Sequence, residues 1–450
     1  MTHAGTIADL GPLIKSGRVR ASDLVDASLA AIDARDRELN AFITVTRDSV
    51  RAEAADLDRD AAAGRWRGPL HGIPVSIKDL ADVAGLPTTA ASKVRAGHVA
   101  SADAPVVARL RAAGAIIVGK TNLHEFAFGT TNEDSAFGPS RNPHDPSRSP
   151  GGSSGGSAIS VATGMALASL GTDTGGSIRI PAGACGIVGL KPRFGEVPCD
   201  GIVPLSRTLD HAGPLVRSVR DAWILYDVLR GAPRETNGWQ PRPEPLTLGV
   251  PRRYFVDRLD PEIGALFEAA IDRARRAGHR VRDVEVPHAE LIATVYLHTV
   301  LAEAAAYHAP LLDARPQDYV PAVRLRLEMG RYVLAEDYVR AQEGRDLLRA
   351  GVDRTLQGVD ALALPTLPIA APPIGAESVP LGGDREPVRS AMLRLTQLFN
   401  LTGHPAISLP MGKTSAGLPG GFQLAGMETT ALLETALLLE PVVTPEPTGS

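Results

Sequence analysis

The sequence predicts an α/β fold, in which helices pack on a sheet that contains parallel strands. The first observation is a short apolar run, IPVSI at residues 73–77, which is typical of a buried strand and ends at Lys78. The second is residues 105–119, where a helical pattern (PVVARLRAAG) gives way after Gly114 to a strand pattern (AIIVG). The 450 residues suffice for about three average domains or for one large α/β domain.

The remaining elements follow from the same patterns, taken in order along the chain. Apolar residues recur at helical spacing from Ile7 to about Ala63 and indicate two or three helices, the second with Ser22 and Asp23 at its start. Later strand-like runs occupy residues 166–170, 186–190, 246–250, 360–365 and 406–410. Helical runs occupy residues 157–164 and about 261–278, 289–309, 321–350 and 430–440.

Residues 121–150 interrupt this regular pattern with a stretch rich in Asn, Pro, Ser, Gly and Arg. Irregular segments of this length inside compact proteins are often functional. We therefore predict a long ordered loop or a lid here, rather than a linker.

Composition and charge exclude several classes of function. The net charge is −4, with 47 basic and 51 acidic side chains spread along the chain, which argues against a nucleic-acid partner. Cys185 and Cys199 are the only cysteines, too few for a disulfide framework or a structural zinc site. No signal peptide and no run of about 18 apolar residues is seen, so no membrane partner is expected. We expect a cytoplasmic protein that acts on a small molecule.

Two Gly-Gly-Ser clusters lie between Gly151 and Ser177, with their serines Ser153 and Ser177 separated by 24 residues. Because glycine tolerates positive φ and has no Cβ, backbone amides in such turns can approach a bound group closely. A flexible Gly/Ser linker is disfavoured, since the first cluster runs directly into an apolar helical pattern. A phosphate-binding P-loop is disfavoured too, since no lysine occurs between Lys120 and Lys191.

Other hydrolytic arrangements fit the sequence less well. Ser154 lies in a G-x-S-x-G pattern, but the strand that an α/β-hydrolase elbow requires does not precede it. The pair His124-Glu125 lacks the second histidine of a zinc-hydrolase motif, so no metal is expected. A Ser-His-Asp triad stays open, because the chain has 11 histidines, although none lies in a motif-like setting.

The remaining arrangement is a serine nucleophile with a lysine as its base. For this arrangement the chain resembles the amidase signature family of serine hydrolases. The resemblance rests on PGGSSGGSA and TDTGGSIRIPA, on HGIPVSIKDL and TTAASK before them, and on AAGAIIVGKTNLHEFAFG. CGIVGLKPRFG, SRTLDHAGPLVRSVRDA, NLTGHPAISLP and GLPGGFQLAG extend it, so that residues 60–230 match strongly and the ends more loosely.

The resemblance implies one large α/β/α layered domain around a mixed, mostly parallel twisted sheet. Residues 1–65 are then an N-terminal helical region packed on the core, and residues 66–230 are the catalytic core. Residues 231–450 complete the same domain and include a variable helical segment that lines the substrate pocket.

Carried over by position, the resemblance makes Ser177 the nucleophile, Ser153 a bridging serine on a cis peptide, and Lys78 the base. The backbone amides of Thr174, Gly175, Gly176 and Ser177 would form the oxyanion hole. Ser154, Asp173 and Arg179 would support the site, the last two by pairing, although Arg179 alone is compatible with a surface position. Lysine accepts a proton at neutral pH only if burial lowers its pKa by several units.

The implied activity is hydrolysis of the C–N bond in linear amides through an acyl-enzyme, without a cofactor. Aryl amides and carbamates (urethanes) are included, which would make the protein an amidase or a urethanase, and we expect an apolar or aromatic pocket. One alternative is the glutaminase subunit of an aminoacyl-tRNA amidotransferase; its acidic ammonium-binding residue falls on Leu393 here, whereas its arginine is retained as Arg326. Another is an inert binding protein on the same fold. A homodimer is possible.

Overall fold

The computed structural model describes residues 5–232, 242 and 245–445. Their strands are β1 (Phe42–Val45), β2 (Pro74–Lys78), β3 (Ile116–Thr121), β4 (Ala168–Asp173), β5 (Val188–Lys191), β6 (His211–Val216), β7 (Thr247–Pro251), β8 (Arg280–Val284), β9 (Ala361–Pro365), β10 (Ser378–Leu381), β11 (Asp384–Pro387), β12 (Ala406–Lys413) and β13 (Pro419–Ala425).

The helices are α1 (Ile7–Lys15), α2 (Ala21–Leu39), α3 (Arg47–Ala62), α4 (Pro105–Ala112), α5 (Gly155–Ala162), α6 (Arg179–Cys185), α7 (Val219–Leu229), α8 (Pro261–Arg276), α9 (Ile292–Ala314), α10 (Pro321–Gly330), α11 (Ala335–Leu356), α12 (Val388–Leu393), α13 (Gln397–Leu401) and α14 (Thr429–Val443). The helical run predicted over 321–350 is thus two helices, because the chain leaves the helix after Gly330 and resumes at Ala335.

Eleven strands form one mixed sheet in the order β1-β3-β2-β4-β6-β5-β12-β13-β9-β7-β8. Parallel pairing is confined to β3-β2-β4 and β9-β7-β8, where helices connect successive strands. The strands between these groups pair antiparallel, and β12 and β13 form a hairpin with a short turn. The α/β class and the mixed sheet are confirmed, but the sheet is less parallel than expected, since four of the ten strand pairings described in it are parallel and six are antiparallel. In this sheet, as described, only the β12-β13 pair is antiparallel for reasons of chain length, because its connection is too short for a crossover.

The helices α5 and α6 follow the two glycine-serine clusters and pack on the strands at the centre of the sheet. Both helices are entirely or almost entirely buried, in keeping with their small and apolar residues. Residues 121–150 form the expected ordered loop, whose only regular element is a short 3₁₀ turn at Glu125–Ala127. This loop covers the carboxyl ends of β2 and β3.

One helical stretch, Ala289–Ala314, is long and apolar enough by composition to cross a membrane, with a mean hydropathy of 1.2. Half of its most apolar window is buried, and α10 and α11 pack against it. Its polar residues Thr299 and His308 are buried inside the protein. The stretch is packed like a core helix, and a core helix can have the same length and apolar composition as a membrane-spanning one.

Candidate active site

Lys78 is the last residue of β2, the strand that lies between β3 and β4. Its side chain is 1% exposed, and its Nζ donates hydrogen bonds of 2.8 Å to Ser153 Oγ and of 2.8 Å to Thr172 Oγ1. Burial lowers the pKa of this lysine to about 7, against a smaller opposing effect of Asp173 and Asp210. A substantial fraction of Lys78 is therefore a neutral amine at neutral pH.

Ser153 lies in the turn that precedes α5, and the peptide bond between Gly152 and Ser153 is cis, as the resemblance implies. The side chain of Ser153 is fully buried, and its carbonyl oxygen accepts a hydrogen bond from the backbone N–H of His124. The loop of residues 121–150 thus holds this turn from one side. Lys78 reaches it from the strand below.

Ser177 lies in the turn between the end of β4 and the start of α6. The backbone N–H of Ser154 donates to the carbonyl oxygen of Ser177 at 3.3 Å, so the two glycine-serine turns are in direct contact. Gly176 has a φ of +139°, and a Cβ there would clash with Thr396. A Cβ at Gly175 would clash with the hydroxyl of Tyr296. Only glycine fits at either position.

The amide N–H groups of Thr174, Gly175, Gly176 and Ser177 share one property. Within the described part of the chain, none of them donates a hydrogen bond to a backbone or side-chain acceptor. Four consecutive amides without an internal partner are free to donate to a bound oxygen atom. The turn therefore has the donors that an oxyanion hole requires.

Asp173 and Arg179 form a buried bidentate ion pair directly beside this turn. Arg179 donates from Nη2 to Asp173 Oδ1 at 2.9 Å and from Nε to Oδ2 at 3.1 Å, and neither residue is exposed. Burial alone would raise the pKa of Asp173, but the charge and hydrogen bonds of Arg179 outweigh it and hold the pKa below its usual range. Asp173 Oδ2 also accepts from the backbone N–H of Ile178. A surface position for Arg179 is excluded.

Ser154 is buried and donates from Oγ to the carbonyl oxygen of Thr172 at 3.1 Å. Its hydroxyl therefore fixes the start of α5 to the end of β4. Lys78 makes its hydrogen bonds to other hydroxyls. This places Ser154 among the residues that shape the site.

Several residues of the site were not predicted from the sequence. Thr172 binds Lys78, and Asp210 accepts a 2.6 Å hydrogen bond from the hydroxyl of Thr174. Burial raises the pKa of Asp210 to about 6, although hydrogen bonds from the Thr174 hydroxyl and from two backbone N–H groups oppose this. Asp210 belongs to SRTLDHAGP, a stretch that carries the family resemblance, and this is the signal from which it could have been found.

A cleft of about 330 Å³ opens beside Thr172 and Thr174. Ala127 from the long loop and a continuous segment, residues 199–205, line its walls together with Leu80, Arg207 and Asp210. The loop of residues 121–150, predicted as a long ordered loop or a lid, thus contributes to the wall of this cleft. Within the described ranges, no group of three metal-ligating side chains is placed to hold a metal ion.

Leu393 and Arg326 mark where the glutamine-binding residues were expected. A Cβ at Gly175 would lie 2.9 Å from Leu393 Cδ2, so Leu393 contacts the turn that carries the free amides. Arg326 lies farther out on α10 and donates from Nη1 to the carbonyl oxygen of Phe128 at 2.9 Å. An apolar side chain thus occupies the place of the expected carboxylate.

Comparisons with known proteins show the family to which the chain is similar. A model of the Amidase family matches residues 23–431. An amidase of Pseudomonas putida is 40% identical over 455 residues, covering 98% of this chain and 96% of that protein. A glutamyl-tRNA(Gln) amidotransferase subunit of Roseiflexus sp. (strain RS-1) is 40% identical over 462 residues, covering 95% of this chain and 93% of that protein. A crystal structure of an amidase matches with a TM-score of 0.92 and 40% identity, covering 98% of this chain and 100% of that one.

Proposed function

The chain belongs to the amidase family, and on that premise we propose that it is a stand-alone amidohydrolase that cleaves linear amides through an acyl-enzyme on Ser177. The observation that carries the proposal is the buried hydrogen bond between Lys78 Nζ and Ser153 Oγ, made by a lysine whose pKa is lowered to about 7. A neutral amine in this position can accept a proton at physiological pH. Lys78, Ser153 and Ser177 then act as a Ser-Ser-Lys catalytic triad.

In the first half-reaction the Ser177 hydroxyl attacks the amide carbonyl carbon while its proton passes to Ser153 Oγ. Ser153 simultaneously gives its own proton to Lys78, which becomes an ammonium. The amides of residues 174–177 hold the negative oxygen of the tetrahedral intermediate; loss of one such donor typically costs about 3 kcal/mol. The proton returns through Ser153 to the leaving nitrogen, the C–N bond breaks, and the amine departs.

In the second half-reaction water takes the place of the amine and attacks the acyl-enzyme by the same proton relay. The carboxylic acid is released, and Ser177 recovers its proton. A carbamate carbonyl can enter the same sequence, in which case hydrolysis yields an alcohol, carbon dioxide and an amine. Carbamate hydrolysis is therefore a subclass of the proposed activity, and no cofactor takes part.

The second candidate is a glutaminase subunit of an amidotransferase, and the 40% identity to the Roseiflexus protein favours it. Leu393 disfavours the glutaminase function, because a leucine beside Gly175 cannot pair with the ammonium group of glutamine. An inert binding protein is disfavoured, since all three residues of the proposed relay are present. Cytoplasmic localisation, a small-molecule substrate and a possible homodimer stay predictions.

The test is a substrate panel of p-nitroanilides, primary amides, aryl carbamates and glutamine, with wild type and Ser177→Ala compared on each. We expect Ser177→Ala to lower kcat/KM on accepted substrates by roughly 10⁴-fold or more, because the bond to the acyl group is no longer formed. Ser154→Ala removes a neighbouring buried hydroxyl that shapes the site but lies outside the relay, so its loss of kcat/KM should be far smaller than that of Ser177→Ala. Wild-type hydrolysis rates in Ser177→Ala would disprove the mechanism, and ammonia release from glutamine that requires a partner chain would favour the second candidate.

A further inference from the structure

Arg389 lies on α12, and its guanidinium has few interaction partners among the described residues. Its Nε is buried without a hydrogen-bond partner, and within the described part of the chain no carboxylate forms an ion pair with it. The guanidinium lies over the ring of Phe128, whose centroid is 5.7 Å from Cζ. Arg389 as a whole is half-buried, and a guanidinium that is partly removed from water without a counterion is unfavourable, so such groups normally meet a ligand or a partner.

Arg326 brings a second positive charge to the same place. Its Nη1 donates to the carbonyl oxygen of Phe128, the residue whose ring faces Arg389. The charge of Arg389 contributes to lowering the pKa of Arg326, after the larger effect of burial. The acid whose charge acts on Arg326 is Asp134, and this carboxylate lies 3.2 Å from His124 Nε2. Two guanidinium groups thus share one residue, and neither has an ion-paired carboxylate among the described residues.

Of the two arginines, Arg389 lies on the helix that contacts the turn of residues 174–177. Arg389 and Leu393 are four residues apart on α12, which places them on the same face, about 6 Å apart along the axis. Leu393 contacts Gly175, and so does the hydroxyl of Tyr296, which also feels the charge of Arg389. Arg389 thus neighbours Leu393 and Tyr296, the two side chains that contact Gly175 in the turn before Ser177.

We propose that Arg389, together with Arg326, binds a carboxylate on the substrate, which makes the preferred substrates amides that carry a carboxylate several bonds from the scissile carbonyl. This inference rests on the amidohydrolase function proposed above and narrows its substrate class. Leu393 excludes an ammonium group close to the carbonyl, so ω-carboxylated amides without an amino group fit better than glutamine. On this proposal, the apolar or aromatic pocket expected from the sequence would have a cationic end.

The experiment compares substrates that differ in one group. The probes are the monoamides of succinic, glutaric and adipic acid, each with its neutral diamide as the matched control, and glutamine. With wild type we expect kcat/KM for the best monoamide to exceed that for its diamide at least tenfold, mainly through KM. We expect glutamine to be hydrolysed more slowly than glutaric acid monoamide.

Variants assign the preference to Arg389. Arg389→Gln should reduce the ratio of monoamide to diamide kcat/KM to near 1, and Arg389→Lys should restore part of it, since a lysine keeps the charge without the planar fork. Arg331→Gln changes an arginine that pairs with Asp313 instead, so it is the control and should leave the ratio unchanged. A ratio that is unchanged in both Arg389 variants would overturn the inference.

Binding separates this inference from the proposed function. Calorimetry on Ser177→Ala measures the affinity for glutaric acid monoamide and for glutaramide without any turnover. Tighter binding of the monoamide that is lost when Arg389→Gln is added to Ser177→Ala supports the anion site even if wild type hydrolyses neither compound. Equal affinities for the two compounds overturn it, even if wild type hydrolyses neutral amides well.

Discussion

Two lysines near the ends of neighbouring strands are equally buried, but one contacts only hydroxyl groups and the other contacts a carboxylate. Lys78 is the last residue of β2. Lys120, on β3, lies opposite Ile77, the residue before Lys78. Both side chains are essentially unexposed. Lys78 donates only to the hydroxyls of Ser153 and Thr172, whereas the Nζ of Lys120 lies 2.7 Å from Asp79 Oδ1. Lys120 also donates to the carbonyl oxygen of Pro87 and to the hydroxyl of Thr88, so the charged partner that only Lys120 contacts is the carboxylate of Asp79.

This carboxylate decides the chemistry of each amine. Burial lowers the pKa of both lysines, but at Lys120 the charge and hydrogen bond of Asp79 oppose it. At Lys78 the opposing carboxylates, Asp173 and Asp210, are already engaged with Arg179 and Thr174. Asp79 follows Lys78 in the sequence and yet pairs with Lys120. The comparison teaches that, of these two lysines, the one proposed as the base is the one from which the fold withholds a counterion.

The largest expected effect is on activity in Lys78→Met. We expect kcat/KM to fall by roughly 10³- to 10⁴-fold, because the proposed relay loses its proton acceptor. The same variant should be more stable than wild type at pH 6, by roughly 1 to 4 kcal/mol, because a buried ammonium is replaced by an apolar chain. Urea unfolding at several pH values checks this.

The pH dependence of that stability gain has a definite sign. The folded-state pKa of Lys78 is about 7, below the value near 10.4 of an unfolded chain, so between these values the unfolded state binds more protons. Wild-type stability contributed by this group therefore rises with pH across that window. The advantage of Lys78→Met should be largest below pH 7 and shrink toward pH 10. A variant that is less stable than wild type at pH 6 would contradict the lowered pKa.

Lys120→Met should give the opposite result. Removing this ammonium leaves the carboxylate of Asp79 buried without its counterion, which typically costs roughly 3 to 5 kcal/mol of unfolding free energy. The double variant Lys120→Met with Asp79→Asn should recover part of the loss, since no charge is then left unpaired. Equal stability of Lys120→Met and wild type in urea unfolding would show that Asp79 does not depend on this partner.

The smallest effect is expected for Thr172→Val, which removes one of the two hydrogen bonds of Lys78. Because Nζ is the donor, this bond favours the ammonium, and without it the pKa of Lys78 falls further below 7. The acid limb of the kcat/KM profile, expected near pH 7 in wild type, should move to lower pH, with a plateau about tenfold lower. An unshifted acid limb would mean that Thr172 does not tune the base.

The local sequence predicted much of the fold, and the family resemblance supplied the residues of the proposed relay. The apolar run IPVSI predicted a strand that ends at Lys78, and β2 does end there. Strands β6 and β13 were missed, because HAGPLV and PGGFQLA contain the glycines and prolines that usually argue against a strand. In this sheet both are flanked by other strands, and that burial outweighs the weak local propensity.

The sequence by itself determined which side chains are available: two serines in glycine-rich turns, a lysine at a strand end, and an Asp-Arg pair beside them. Only the tertiary structure decided which partner each buried charge has. Thr172 lies 94 residues from Lys78, and Asn400, which donates to Asp173 at 2.8 Å, lies 227 residues away from it. Burial and hydrogen bonding depend on elements distant in the chain, and they alone distinguish a neutral amine at Lys78 from a paired ammonium at Lys120.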